Sequence, residues 1–429
     1  MTLPIDHPLR IELNNEVHAR PPPALNTPCR ISFLALLSDP GSRKQERAHL
    51  AKLCETYNVE PPAAGVNHFH TELGGFTIIW ERHTEFARYM IIAGGAGDNP
   101  FASPALAQVP ADWVAAIPGK VLVASHLAVL HGTGEAFDLD KLAERFFAGN
   151  VLVGSALSAG AGIAFADFRI REDGFSRLML WNRSMTPRQC GRTVQRLLEI
   201  DSYRMMALLA LPVARGLSPF MTNCERELAE ITKQLTDAPA AEEPALLQRL
   251  TRLEAEIQSR HADNHFRFSA AAAYHDLVER RIVELREGRL EGAQTFEEFT
   301  ERRLVPAVTT CKSVADQLES LSERVGRATQ SLSTRTAVTR ERQNQALLET
   351  MARRAKIQLR LQQTVEGLSV AAITYYVVGL VGYAAKGLKS AGLKIDPDIV
   401  MAFSIPFVFG LLAYGLQRIR RRLKISGET

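Results

Sequence analysis

Cysteine is scarce and scattered in this 429-residue chain. The five residues, Cys29, Cys54, Cys190, Cys224 and Cys311, are odd in number and never form a C-x-x-C pair. That excludes a zinc ribbon and a disulfide framework and fits a reducing compartment. Aromatics make up only 7%, and 51 basic against 47 acidic residues leave a formal charge of +4. No segment carries the dense basic and aromatic face of a nucleic-acid binder, so no nucleic-acid partner is expected. The opening MTLPIDHPLRIELNNEVHARPPP lacks the apolar h-region and basic start of a signal peptide, so the bulk of the chain is expected on the cytoplasmic side. Also missing are G-x-x-x-x-G-K-[ST], G-x-G-x-x-G after a strand, H-E-x-x-H and G-x-S-x-G. The strings GGAG (94–97) and SAGAG (158–162) lack the lysine or helix start of a phosphate cradle and read as turns. No enzyme class is indicated, no catalytic residue is assigned and no cofactor is expected.

Mean hydropathy is −0.07, a soluble average that conceals two uncharged runs near the C-terminus. Residues 367–385 read GLSVAAITYYVVGLVGYAA and residues 399–416 read IVMAFSIPFVFGLLAYGL. As helices they are about 28 and 27 Å long, close to the roughly 30 Å hydrocarbon thickness of a bilayer. Arg353, Arg354, Lys356 and Arg360 precede the first run, and Arg418, Arg420, Arg421, Arg422 and Lys424 follow the second. The connection has Lys386, Lys389 and Lys394 offset by Asp396 and Asp398. This bias favours a transmembrane hairpin with both termini cytoplasmic and a basic cytoplasmic tail over 417–429. Tyr375, Tyr376, Tyr383 and Tyr414 suit the membrane interfaces, Gly379 and Gly382 allow close helix approach, and Pro406 kinks the second helix.

The first 185 residues alternate β-type runs with short amphipathic helices. Strands are expected at 29–37, 66–73, 76–82 and 85–92 around a helix at 42–57, then at 120–130, 150–157, 162–170 and 174–181 around a helix at 138–147. Both halves, about 25–95 and 118–185, read β-α-β-β-β, and FARYM at Phe86–Met90 matches FSRLM at Phe175–Met179. That pattern suggests an internal duplication.

Residues 186–366 read as a helical stalk. Thr186 caps a helix with Pro187 at its first position, and Pro212 and Gly216 are expected to stop it. Leu246, Leu247, Leu250, Leu253 and Ile257 continue the apolar stripe after a Pro-containing break, and the next break falls near Gly288 and Gly292. From Thr309 the chain can run unbroken to the membrane. Cys311, Val314, Leu318, Leu321, Val325, Ala328 and Leu332 form a coiled-coil-like heptad seam, and a second stripe follows at Leu347, Met351, Gln358, Leu361 and Val365. The expected fold class is therefore α+β: a duplicated sheet domain, a helical stalk and a two-helix transmembrane hairpin. A stalk that must bury its stripe, joined to two membrane helices, points to a homo-oligomer in the lipid bilayer.

Two polar clusters stand out. HPLRIELNNEVHARPPP, an irregular segment by its prolines, gathers His7, Arg10, Asn14, Asn15, Glu16, His18 and Arg20. It reads either as an ion or small-anion pocket, with Glu16 and His18 as ligands and Arg20 as a bidentate clamp, or as an arm capping the sheet edge. In WERHTEF, Glu81, His83 and Glu85 alternate onto one face if the strand continues, a row that could hold a divalent ion or act in proton transfer, or else end a solvated hairpin. His68 and His70 share a strand face without other metal ligands nearby in sequence.

The strings HPLRIELNNEVHARPP, WERHTEF, VQRLLEIDSYRMMALLALPVAR, FRFSAAAAYHDLV, RRLVPAVTTC and ERQNQALLETMARRAKIQLRLQQTVEGLSVAAITYYVVGLVGYAAKGL together resemble the bacterial domain of unknown function family 3422. The resemblance spans nearly the whole chain and implies a membrane-associated bacterial protein, with no activity attached. The general plan also resembles the CorA-like magnesium channels and a mitochondrial family needed for respiratory-complex expression. The channels' Gly-Met-Asn signature is absent, since the corresponding stretch reads GYAAKGLKSAG. Lysines there would repel cations, so any channel would differ in selectivity. The expectation is a two-pass inner-membrane scaffold or sensor. The alternatives are a divergent channel lined by Ser369, Tyr376, Gly379 and Tyr383, or a membrane-anchored enzyme using the His18 and His83 clusters.

Overall fold

The computed structural model describes residues 6–18, 21–132, 137–237, 239, 241–392 and 396–425. Contacts divide the chain into two compact units, residues 1–238 with 245–329, and residues 239–244 with 330–429.

The first unit is built on a nine-stranded sheet of order β2-β3-β4-β1-β5-β8-β7-β6-β9. Its strands are β1 (Cys29–Leu37), β2 (His68–Leu73), β3 (Phe76–Arg82), β4 (Phe86–Gly94), β5 (Lys120–His131), β6 (Val153–Leu157), β7 (Gly162–Ala166), β8 (Ser176–Asn182) and the short β9 (Gly288–Arg289). Eight follow the expected runs. The ninth begins on Gly288, where the sequence reads as a break, and it pairs with β6 at Ala156↔Gly288 and Ser155↔Arg289. The helices are α1 (Arg10–His18), α2 (Arg43–Thr56), α3 (Ala111–Ala115), α4 (Leu139–Phe147), α5 (Pro187–Leu208), α6 (Ala210–Asp237), α7 (Glu243–Leu285), α8 (Phe296–Arg303), α9 (Val305–Ser390) and α10 (Pro397–Ile425).

Alternation of apolar residues gives the sheet two buried faces. Ile31, Phe33, Ile79, Met90 and Leu180 meet Leu197, Leu198 and Met206 of α5 and Val278 of α7. On the opposite face Leu34, Ile78, Trp80 and Ile91 meet Leu50 and Leu53 of α2, while Phe165 and Met179 meet Phe146 and Phe147 of α4. Helix α5 starts where the sequence says it should: Thr186 accepts from Gln189 N, the Gln189 side chain returns the bond to Thr186 N, and Pro187 occupies the first turn.

The two halves share element order and mirror one another in lateral order, 2-3-4-1 and 5-8-7-6. Strand direction breaks the repeat. β1 runs antiparallel to β4, whereas β5 runs parallel to β8. Two copies of one fold keep their strand directions, so the FARYM and FSRLM match does not extend to equivalent topology.

Three local expectations are corrected. The N-terminal cluster is helical over Arg10–His18, where no Gly or Pro interrupts the run, and the helix stops short of the proline triplet. The segment after it lies against α5 rather than along a sheet edge, with Leu25 N donating to the Pro187 carbonyl at 3.0 Å. A Cβ on Gly191 would stand 1.7 Å from the Pro23 carbonyl oxygen, so only glycine permits this approach. Finally, Pro212 and Gly216 do not end the helical run: α5 stops at Leu208, and Pro212 falls in the first turn of α6, where its missing N–H has no helical partner to lose.

The heptad seam is covered within the chain. Cys311, Val314, Leu318, Leu321 and Val325 are buried, as are Leu228 and Ile231 of α6 and Leu246, Leu250, Leu253 and Ile257 of α7. Cross-helix pairs at Arg249–Glu227 (3.6 Å) and Arg324–Glu225 (3.7 Å) border this bundle. This part of the seam therefore needs no second copy.

In the second unit, α9 continues through the second stripe, whose Leu347, Met351, Leu361 and Val365 are exposed. Farther on, Val370, Thr374, Val378 and Ala385 form a buried line, and Gly382 on that line touches Met401 of α10. Pro406 lies inside α10, which is not interrupted there.

Candidate functional site

The polar residues singled out in WERHTEF converge on the sheet face covered by α5 and α7. β3 ends at Arg82, and residues 83–85 turn, so the expected continuous row of Glu81, His83 and Glu85 does not form. The turn sends the two carboxylates to different partners. Glu81 stands opposite His68 on one neighbouring strand and Arg88 on the other. Glu85 accepts from Arg267 Nη2 at 2.5 Å and from the Tyr274 hydroxyl at 3.0 Å, both on α7. His83 stacks on Phe86, ring centres 4.4 Å apart.

From Glu81 a chain of ion pairs crosses the layers. Arg88 Nε donates to Glu81, and Arg88 Nη1 donates to Glu199 Oε1 on α5 at 3.2 Å. Glu199 also accepts from Arg281 of α7 and from Gln195 Nε2 at 2.8 Å. Arg281 Nη1 then meets Glu284 at 3.0 Å, and Glu284 accepts from Arg196 Nε at 2.9 Å. Three carboxylates alternate with three guanidiniums, and Glu81, Arg88 and Glu199 are buried. Burial works against the Arg88 charge, but the carboxylates of Glu81 and Glu199 outweigh it and hold its pKa above the ordinary value. Burial likewise opposes ionisation of Glu199, and Arg88 and Arg281 reverse the balance, holding that carboxyl below its ordinary range. Burial lifts the Tyr203 hydroxyl beside them to about 12.

A carboxylate held ionised by guanidiniums, as Glu199 is, clamps secondary-structure elements together. A general base, by contrast, needs a pKa near the working pH. Two imidazoles border the network, His68 Nε2 at 3.8 Å and His83 Nε2 at 4.0 Å from the Glu81 carboxylate, with side chains 17% and 19% exposed. Of the sequence candidates, Glu81, His83 and Glu85 thus share one neighbourhood, and His68 joins them. Arg20 and the side chains of Glu16 and His18 lie outside the described residues. Ser369, Tyr376 and Tyr383 are exposed on α9, and Gly379 is half-buried.

The sequence reading missed Glu199, Arg281 and Tyr274. Their signal was present as polar residues interrupting apolar helical faces, Glu199 within RLLEIDSYRMM being the plainest. The same segment supplies Asp201, which accepts from Ser125 Oγ at 2.9 Å and Arg204 Nη2 at 2.5 Å. On the other sheet face Arg82 donates twice to buried Glu46, at 3.0 and 2.9 Å, and stacks over Trp80.

A family model described as protein of unknown function (DUF3422) matches residues 5–423. The chain belongs to that family. No curated protein and no solved structure matches it.

Proposed function

We propose that the chain is a two-pass protein of the bacterial inner membrane, with both termini cytoplasmic, working as a homo-oligomeric scaffold or sensor rather than as an enzyme. One observation carries the membrane reading. Residues 367–385 and 399–416 contain no charged side chain, and Leu368, Tyr375, Leu380, Phe403, Phe407 and Leu411 stand exposed on α9 and α10, Phe403 by 77%. Each large apolar side chain left in water forgoes about 1.5–3 kcal/mol, which a bilayer recovers. The basic collars at 353–360 and 418–424 set the direction of the hairpin. The scaffold or sensor reading is supported by the network, whose carboxylates are committed to arginines and which His68 and His83 border at Glu81.

Single-cysteine labelling tests the topology, because the five native cysteines are buried. In spheroplasts, Lys389→Cys should react with an impermeant maleimide before lysis and Thr350→Cys only after it. Reaction of Lys389→Cys only after lysis overturns the hairpin. A monomer in mild detergent at micromolar concentration overturns the oligomer.

The channel reading draws on a separate observation. Ser369, Tyr376 and Tyr383 lie off the line of α9 that is buried at Val370, Thr374 and Val378. In an oligomer they would be free to line a shared axis. Reconstituted protein that passes no Mg²⁺, K⁺ or Cl⁻ in a liposome flux assay removes this reading.

A further inference from the structure

The helical bundle changes character along α7. Leu246, Leu250, Leu253 and Ile257 are buried apolar seam residues. The same face then carries His261, His265, Phe268, Ala272, His275 and Glu279, whose spacing of four and three keeps them in line. Opposite this polar stretch the seam does not close. A cavity of about 540 Å³ opens between α7 and α9, lined by His275, Asp276 and Glu279 on one side and by Cys311, Asp316 and Glu319 on the other. A histidine at a seam position weakens packing unless its ring nitrogens are used.

Ligand geometry converges at one end of the cavity. One atom each from His275, Asp276 and Glu279 can be chosen so that all three lie within 4.8 Å of one another. His275 Nε2 is buried and has no hydrogen-bond partner. The nearest Glu279 oxygen is 3.8 Å away, beyond hydrogen-bond length. That gap suits two ligands of one ion, since ligands about 2.1 Å from a tetrahedral zinc stand about 3.4 Å apart.

We propose that His275, Asp276 and Glu279 bind a first-row divalent transition-metal ion of the Zn²⁺ type, with the cavity holding its remaining ligands. One imidazole nitrogen and two carboxylate oxygens match such an ion better than Mg²⁺ or Ca²⁺, which prefer all-oxygen shells. The two carboxylates also balance its charge. Nothing in the sequence reading pointed here, because the three residues fall within an ordinary helical heptad.

The test is a competition titration of metal-stripped, detergent-purified full-length protein with Zn²⁺ against a fluorescent chelator. One saturable site is expected, weakened at least about tenfold by Glu279→Gln, Asp276→Asn or His275→Ala. Mg²⁺ should not compete. The Glu279 side chain is 61% exposed, so its carboxamide variant leaves the fold intact. Zn²⁺ should accordingly raise the melting temperature of the wild type and not that of Glu279→Gln. Absence of a saturable site overturns the proposal. So does a site that survives Glu279→Gln and Asp276→Asn but is lost in the His261→Ala, His265→Ala double variant, because the ion then sits at the other end of the cavity.

Discussion

Among the described residues, three helical stretches meet the length and composition of a membrane span: Pro187–Thr236, which runs through α5 and nearly all of α6, Phe296–Ser390, and Pro397–Arg418. They reach that composition in different ways. The stretch Pro187–Thr236 places Leu197, Leu198, Ile200 and Met206 on the sheet, and the charges on its buried face, Glu199 and Asp201, are each met by an arginine. Residues 367–385 and 399–416 contain no charge to be met, and most of their large side chains face outward. Hydropathy scores both regions as spans. What separates them is the covering of the apolar surface and the presence of polar groups whose partners lie elsewhere in the fold. A charge buried on a core helix is tolerable only with its counterion in place, whereas a membrane helix manages by having none.

The comparison can be broken most forcefully at Glu199. Glu199→Gln leaves buried Arg88 and half-buried Arg281 without their shared carboxylate, and the first unit should lose about 3 kcal/mol in urea unfolding while, on the proposed topology, the chain stays in the membrane fraction. Loss of membrane attachment in this variant would mean that α5 also contacts lipid. The mirror experiment is Leu380→Arg, at a side chain 67% exposed on α9. It should cost about 2.5–3.5 kcal/mol of insertion, seen as protein shifting to the soluble fraction, with the melting of the first unit unchanged.

Acid sharpens the contrast, because two buried histidines lie in the first unit. Burial holds His126, stacked on Phe175 and bonded to Ser32, neutral down to about pH 4. The unfolded chain takes up a proton near the ordinary value of 6.5. Stability contributed by this site is therefore complete above 6.5 and falls as pH drops towards 4, by on the order of 3 kcal/mol. His49, lowered for the same reason, adds in the same direction. His126→Gln should flatten the melting-temperature profile across that window. An unchanged profile would place the pH dependence elsewhere. Glu199 acts in a separate window, because its depressed pKa preserves stability until pH falls below the ordinary carboxylate value of 4.5.

The smallest contrast is between two glycines. At Gly191 in α5 an added methyl meets the backbone of Pro23, and Gly191→Ala should cost about 1–3 kcal/mol by thermal melting. At Gly382 in α9 the methyl meets the thioether of Met401, which can swing away, so Gly382→Ala should stay within about 0.5 kcal/mol. Equal losses at both sites would mean that α9 and α10 are packed as rigidly as the sheet core.

Much of the fold follows from local features of the chain, because periodicity, caps and uncharged runs are set by neighbours in sequence. Alternation located eight strands, Thr186 and Pro187 located the start of α5, and the runs at 367–385 and 399–416 fell inside helices. Wherever a residue's role depends on a distant partner, only the tertiary structure decided it. Local pattern carries no strand direction, so the parallel pairing of β5 with β8 was hidden behind a repeated β-α-β-β-β order. Glu81 and Glu85 were visible as polar residues near a turn, yet Glu85 is held from α7 by Arg267, and Arg88 links Glu81 to Glu199 on α5, the contacts to α7 and α5 each bridging more than a hundred residues. His275 and Glu279 looked like ordinary helix positions until α9 lay opposite them across an open cavity. The sequence alone determined which segments are apolar. The assembled sheet and bundle decided which of those segments were already covered.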